Sequence, residues 1–312
     1  MKAECLVMRI SVKDLLFEGA VIYPLYRIPV VQALRKYKHR HSTDRVRKLA
    51  DEKDNIGKIV DNFEKHTSGV LPDDSFFDGK VVLEVGPGLS CGMALYFLAR
   101  GAKKVVMVDR EPRFFLDVRD EQVIREICDF LEESYSTAGL YSKAMLNEKT
   151  PLEFNPEALE IHRTGINNVP LPDDSVDFIF SNAVLEHVSE PALALREMYR
   201  LLKPGSLMAH QVDLRVHGPV KKKNPLAHLH YAPWEWRILT ARKMSYTNRL
   251  RLSQFVSLIK ESGFDLKHLK MREGASEELP ENQRNSFYDD FREMSDQDLR
   301  TLGFFFVAKK RS

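Results

Sequence analysis

The sequence predicts an α/β fold built on a doubly wound sheet of seven strands, mostly parallel, with an antiparallel last strand. Three observations carry this. Short β-branched runs alternate with helical patterns from Lys80 onward, the arrangement that gives parallel strands joined by crossover helices. The first run leads into "EVGPGLSCG", Glu84 to Gly92, where two glycines one residue apart allow a turn to press its backbone against a ligand. At the end of the second run, about twenty residues on, stands Asp109, where such a fold places a carboxylate for a ribose.

The strands are read, in order, as "KVVLEV", "KKVVMVD", "ALEIHR", "SVDFIFSN", "SLMAHQVDL", "FDLKHLKM" and "LGFFFVAKK", a Rossmann-like set. Helices are expected at about 90–100, 190–202 and 252–262, each with apolar residues at helical spacing. Pro191 sits in the first turn of the second, where its missing N–H does no harm. An acidic polar stretch separates the last two strands, which allows that pair to close the sheet antiparallel. Residues 1–78 read as a helical N-terminal extension and 79–312 as the α/β domain, with insertions at 112–158 and 214–250 that fall outside the regular alternation.

Composition narrows the function classes. Lys plus Arg (47) nearly balances Asp plus Glu (45), so no global field draws the molecule to nucleic acid, and no nucleic-acid partner is expected. The N-terminal run "LLFEGAVIYPLYRIPVVQAL" is interrupted by Glu18, Pro24, Arg27 and Pro29, which argues against a spanning helix. No signal-peptide layout is read at the start. The basic residues 35–48 read as a solvated helix face, with contact to a membrane surface or a phosphate-bearing substrate as the alternative. Cys5, Cys91 and Cys128 are odd in number and widely spaced, so neither a disulfide framework nor a cysteine metal site is expected, and a cytoplasmic location fits.

The glycine turn alone leaves the ligand open. A dinucleotide site wants G-x-G-x-x-G, and the third position here is Cys91; a P-loop fails because no Gly-Lys-Ser/Thr follows. Cys91 reads as a small filler at a helix start, a location that can lower a thiol's pKa.

"LEVGPGLSCG", "VVMVDR", "NNVPLPDDSVDFIFSNAVLEHV" and "ALREMYRLLKPGSL" occur in that order, and together they resemble class I S-adenosylmethionine-dependent methyltransferases of the small-molecule type. The resemblance covers about residues 79–212 and the closing strands to 309. It implies S-adenosyl-L-methionine as cofactor, with Gly86, Pro87 and Gly88 forming the turn beneath it and Glu84 near its ammonium end. Asp109 would accept the ribose hydroxyls and Arg110 would stack near the adenine. Gly165 stands where the family often has an acidic residue for the adenine, so the substitutes are backbone groups of Ile166 and Asn167 or the side chains of Asn167 and Asn168. Ser181 and Asn182, ending the fourth strand, are expected to face the methionine part or the reacting methyl, and His187 reads as a structural residue of the following helix, with a catalytic base as the alternative.

The acceptor side is placed in 214–250, which leaves the carboxyl edge of the sheet and concentrates imidazoles and both tryptophans, Trp234 and Trp236. The tryptophans either pack a sugar or aromatic acceptor or anchor the segment on the core. "NRLRLSQFVSLIKESGFDL" resembles a block of bacterial methyltransferases of polysaccharide or secondary biosynthesis, which suggests a small-molecule or glycan hydroxyl as acceptor. The candidate catalytic groups are His217, closest in sequence to the strand end, then His230, with Asp213 at the strand end itself. No metal is expected, since His228 and His230 lack a completing carboxylate pattern. The lysines at 221–223 read as an exposed loop or a phosphate contact. A nicotinamide-dependent oxidoreductase or epimerase is disfavoured by Cys91 and by the lack of Tyr-x-x-x-Lys after the fourth strand; an inactive methyltransferase-like binding module stays open.

Overall fold

The computed structural model describes residues 51–112, 118–147, 152–217, 224–240, 246–274 and 281–311. Residues 1–50, with the basic run 35–48, and the lysines at 221–223 lie outside the described residues.

Seven strands form one sheet: β1 (Val81–Val85), β2 (Lys104–Val108), β3 (Leu159–His162), β4 (Val176–Asn182), β5 (Leu202–Asp213), β6 (Phe264–Glu273) and β7 (Thr301–Lys310). Their order is β3-β2-β1-β4-β5-β7-β6. The strands from β3 to β5 pair in parallel, and β7 runs antiparallel to both β5 and β6. The expected fold class is therefore present. The chain moves outward from β1 to β3 and then returns to lay β4 on the other side of β1. That reversal opens a crevice at the carboxyl ends of β1 and β4.

Strand alternation divides the core into two layers. Val82, Val105, Met107, Phe178 and Phe180 face one side, where α1 (Glu52–Thr67), α2 (Gly92–Ala99) and α3 (Val118–Tyr135) pack. Leu83, Val85, Val106, Val108 and Ile179 face the other, covered by α5 (Pro191–Leu201) and α7 (Leu252–Glu261), the helix α4 (Leu140–Ala144) belonging to the first side. Helix α5 buries Ala194, Leu195, Met198 and Leu201, the one-face spacing of an amphipathic helix, and starts at Pro191 as expected. Helix α2, "GMALYFLA", is apolar almost all round because it lies between the sheet and two other helices.

Two segments read differently in three dimensions. Within 112–158, α3 is the crossover between β2 and β3, and Ile124, Ile127, Cys128 and Leu131 show the helical spacing that its acidic and basic neighbours obscure. The described part of 1–78 is helical and belongs to the main core. Phe63 of α1 meets Tyr96, Phe97, Phe178, Phe180 and Phe305 edge-on, with centroids 5.3–6.4 Å apart.

The other end of the sheet is tied by one buried cation. Arg251, at the start of α7, is fully buried and donates to the carbonyls of Leu214 (3.0 Å), Asp298 (3.0 and 2.8 Å), Leu299 (3.3 Å) and Thr301. It thereby joins the exit of β5 to the turn before β7. Burial pushes its pKa down to about 10, so the guanidinium stays charged at neutral pH.

If α1 is integral, Phe63→Ala should destabilise the whole domain by about 3–5 kcal/mol, since a large core ring is removed from close-packed neighbours. Urea unfolding followed by far-ultraviolet circular dichroism measures it. A loss under about 1 kcal/mol would make α1 an appendage.

Candidate active site

Each glycine of "EVGPGLSCG" has its own reason. Gly86 has φ +73°, and a Cβ there would lie 2.5 Å from Cγ2 of Val184, in the turn after β4. Only glycine lets the two turns meet this closely. Gly92 is held against Ile56 of α1, where a Cβ would fall 2.4 Å from that side chain. Gly88, at φ +75°, has nothing within 4 Å of its Cβ position. Its open side is the free space of the crevice. Pro87 between them is buried. The turn is fixed from below, where Gly86 N–H donates to Val108 O at 2.9 Å, and from the side, where Ser90 Oγ donates to Glu52 Oε1 at 2.8 Å.

Beneath the turn lies Glu84, 3% exposed. Its carboxyl accepts from the Ala94 N–H, yet Oε2 has no hydrogen-bond partner among the described residues. Burial pushes its pKa up to about 8. A buried, under-satisfied carboxyl suits a cationic ligand group, and an ammonium is one. Cys91 is corrected. It caps α2 in the left-handed region (φ 50°), but it is fully buried, and desolvation with Glu84, Cys128, Asp120 and Glu52 raises its thiol pKa rather than lowering it.

Asp109 ends β2, its N–H donating to His162 O at 3.2 Å and its Oδ1 accepting from Glu111 N–H at 2.8 Å. Arg110 is exposed, and its stem runs 3.5 Å from the Cβ position of Gly165. The glycine that replaces the family's acidic residue is thus covered by the arginine's methylenes. Ile166 is 5% exposed and packs its side chain in the core, leaving only its backbone for a ligand, while Asn167 is exposed. Ser181 departs from expectation. It is fully buried, and its hydroxyl shares a 2.7 Å hydrogen bond with His210 Nδ1 of β5. Burial pushes the His210 pKa down to about 3, so this is a neutral structural pair. Asn182 next to it is half-buried at the strand end.

The candidate catalytic groups separate. Asp213 accepts from Arg215 Nε and Nη2, both at 2.8 Å, and from Arg272 Nη2 at 3.2 Å; its oxygens serve guanidiniums, which removes it as a base. His230 is seated on Phe287 with centroids 5.0 Å apart, and its Nδ1 bonds to Ser286 O at 2.8 Å, which makes it an anchor of the 224–240 segment. Trp236 is likewise an anchor, 9% exposed and donating from Nε1 to Thr247 O at 2.8 Å. Trp234 is 64% exposed. His217 remains at the carboxyl edge, its ring 4.5 Å from that of His187 and its Nε2 3.9 Å from Glu186 Oε1.

That grouping escaped the sequence reading. Glu186 was not singled out, and His187 reads there as structural, yet ligand atoms of Glu186, His187 and His217 lie within 4.8 Å of one another. The available signal was the Glu-His pair immediately after a strand end.

Residues 134–209 match the family described as methyltransferase domain. A malonyl-[acyl-carrier protein] O-methyltransferase of Yersinia pestis is 44% identical over 14% of this chain and 16% of its own length. A probable S-adenosylmethionine-dependent methyltransferase of Mycolicibacterium smegmatis is 24% identical over 35% of this chain and 36% of its own. The chain thus spans well under half the length of these curated relatives. An S-adenosylmethionine-dependent methyltransferase structure from Mesorhizobium loti covers 78% of this chain and 95% of its own, at 15% identity and a TM-score of 0.44. The family match runs from the end of α3 through most of β5, within the stretch that carries the resemblance read from the sequence. S-adenosylmethionine is the donor named for the Mycolicibacterium and Mesorhizobium proteins.

Glu84 generates a pH prediction. Its ordinary pKa is 4.5 and its folded value about 8, so between these the folded chain binds more protons than the unfolded chain. Stability linked to protonated Glu84 is present below 4.5 and lost as pH rises through about 8. Denaturant midpoints across that range should show a weaker decline in Glu84→Gln; equal slopes in both proteins would contradict the buried-carboxyl assignment.

Proposed function

We propose that this protein transfers a methyl group from S-adenosylmethionine to a hydroxyl oxygen of a small-molecule or glycan acceptor. The observation that carries the reading is the buried Glu84 carboxyl, with Oε2 unpartnered among the described residues, on the strand that leads into the glycine turn and beside the strand that leads into Asp109. Glu84 would sit nearest the ammonium of the donor, Asp109 would hold its ribose through Oδ2, and Arg110 with the backbone of Ile166 and Asn167 would border the adenine. When bound, the donor supplies an electrophilic methyl on a sulfonium.

The chain's own contribution is mainly position. Asn182 and the turn after β4 border the donor on the side where the acceptor must approach, because the Gly86–Val184 contact sets the two turns together. Holding attacker, carbon and sulfur in line contributes on the order of 7–11 kcal/mol in well-oriented reactions. Residues 214–250 would cover the acceptor, and exposed Trp234 offers an aromatic face to a sugar or ring. His217 would stand on the acceptor side, with its Nε2 3.9 Å from Glu186 Oε1. The alternative of hydride transfer finds no support in the methyltransferase-domain match.

Calorimetric titration with S-adenosylmethionine tests the donor half. Asp109→Ala should lose about 1.5–3 kcal/mol of donor binding with its circular dichroism unchanged. Labelled donor incubated with cell extract, followed by mass spectrometry of the products, tests the acceptor half. Equal affinity in the folded variant removes Asp109 from the site, and donor binding without any labelled product identifies a binding module instead of an enzyme.

A further inference from the structure

We propose that Glu186, His187 and His217 form a binding site for one divalent cation of zinc-like coordination preference, placed to receive the acceptor oxygen. Its role in catalysis rests on the methyl-transfer reading above, whereas cation binding itself does not. Two imidazoles and one carboxylate are a ligand set that suits zinc and neighbouring transition metals.

The three groups come from two strand ends and converge on a single oxygen. His187 Nε2 lies 4.0 Å and His217 Nε2 3.9 Å from the same Glu186 Oε1. Around a tetrahedral cation with bonds of about 2.0–2.1 Å, ligand atoms stand roughly 3.4 Å apart. A contraction of about half an ångström at each of the two Glu186–histidine pairs brings them to that spacing.

The surroundings prepare it. His187 Nδ1 is 2.5 Å from Tyr246 O. A carbonyl only accepts, so Nδ1 carries the hydrogen and the lone pair of Nε2 faces the cluster; this is the orientation that outer partners impose on metal-ligating histidines. The turn bearing Glu186 and His187 is locked by Asn248, whose Nδ2 donates to Leu185 O and Val188 O, each at 2.9 Å, and whose N–H donates to Glu186 O at 2.7 Å. Glu186 is 1% exposed, so its charge acts in a low-dielectric setting. Arg272, held on Asp213, shares the field of Glu186 and limits how much negative charge the site presents.

Among the described residues the ligands number three, the count at which catalytic zinc sites keep a fourth position for water or substrate. The site begins two residues from Val184, which touches the glycine turn, so the open position lies next to the donor crevice. An acceptor hydroxyl coordinated there would release its proton to solvent. Its oxygen lone pair would form the new O–C bond while the S–C bonding pair stays on sulfur, leaving a neutral thioether. The acceptor class is accordingly an alcohol or phenol able to coordinate a cation.

The full chain, freed of metal by a chelator and dialysed, is titrated with Co²⁺ by visible absorption and with Zn²⁺ by calorimetry. One equivalent should bind with a tetrahedral or five-coordinate Co²⁺ spectrum. Glu186→Gln and His217→Ala should each weaken binding by more than the roughly 10–100-fold typical of losing an outer partner. Circular dichroism and S-adenosylmethionine affinity on the same samples establish that the variants fold. Absence of a stoichiometric cation in the wild-type chain overturns the proposal, as does unchanged affinity in both folded variants. Cation binding with no donor binding upholds the site and overturns the methyl-transfer reading alone.

Discussion

The contact between Gly86 and Val184 is the constraint on which the site depends. β1 and β4 are neighbours that leave the sheet in the same direction, and their exits must share one space. Removing the Cβ at Gly86 allows this, at the cost of a left-handed backbone that glycine adopts readily. The exits of β1 and β2, at the glycine turn and at Asp109, then lie on one flank of the crevice. The turn with Glu186 and His187 faces it from the other. A donor and an acceptor brought to those two flanks would meet without further rearrangement.

The same edge is buttressed from outside the sheet. Ile56 fills the gap left by Gly92, Glu52 bonds Ser90, and Asn62 Nδ2 donates to Gln211 Oε1 at 3.1 Å near the end of β5. Helix α1 thus reaches both flanks as well as the core. On the far side, Arg251 and Asn248 fix the segment that follows residues 224–240, so that segment is joined to the β4 turn by hydrogen bonds and not only by packing.

The strands were legible because β-branched runs with turn residues at their ends have few alternatives, and the glycine turn and Asp109 followed from their spacing. Helix α3 was harder, since charged residues interleave its apolar positions at 124, 127, 128 and 131. Ser181 shows a different limit. Adjacent strand residues point to opposite faces, so choosing between Ser181 and Asn182 required knowing that His210 stands opposite on β5. The cluster of Glu186, His187 and His217 is tertiary in origin: nothing in the sequence reports that the exits of β4 and β5 bring these three together.

A broad hollow of about 1150 Å³, lined by Glu64, Arg100 and Tyr135 among others, opens near the amino ends of the strands, at the edge opposite the glycine turn. Glu64 there already takes Tyr96 Oη, Tyr135 Oη and Arg100, so its polar groups are satisfied from within the protein. The donor site proposed above is at the carboxyl edge instead. Amide hydrogen exchange with and without S-adenosylmethionine measures this most directly. The account predicts slowed exchange in residues 84–92, 109–112 and 164–168, with 67–78 and 96–101 unchanged. Protection confined to the latter two stretches would contradict it.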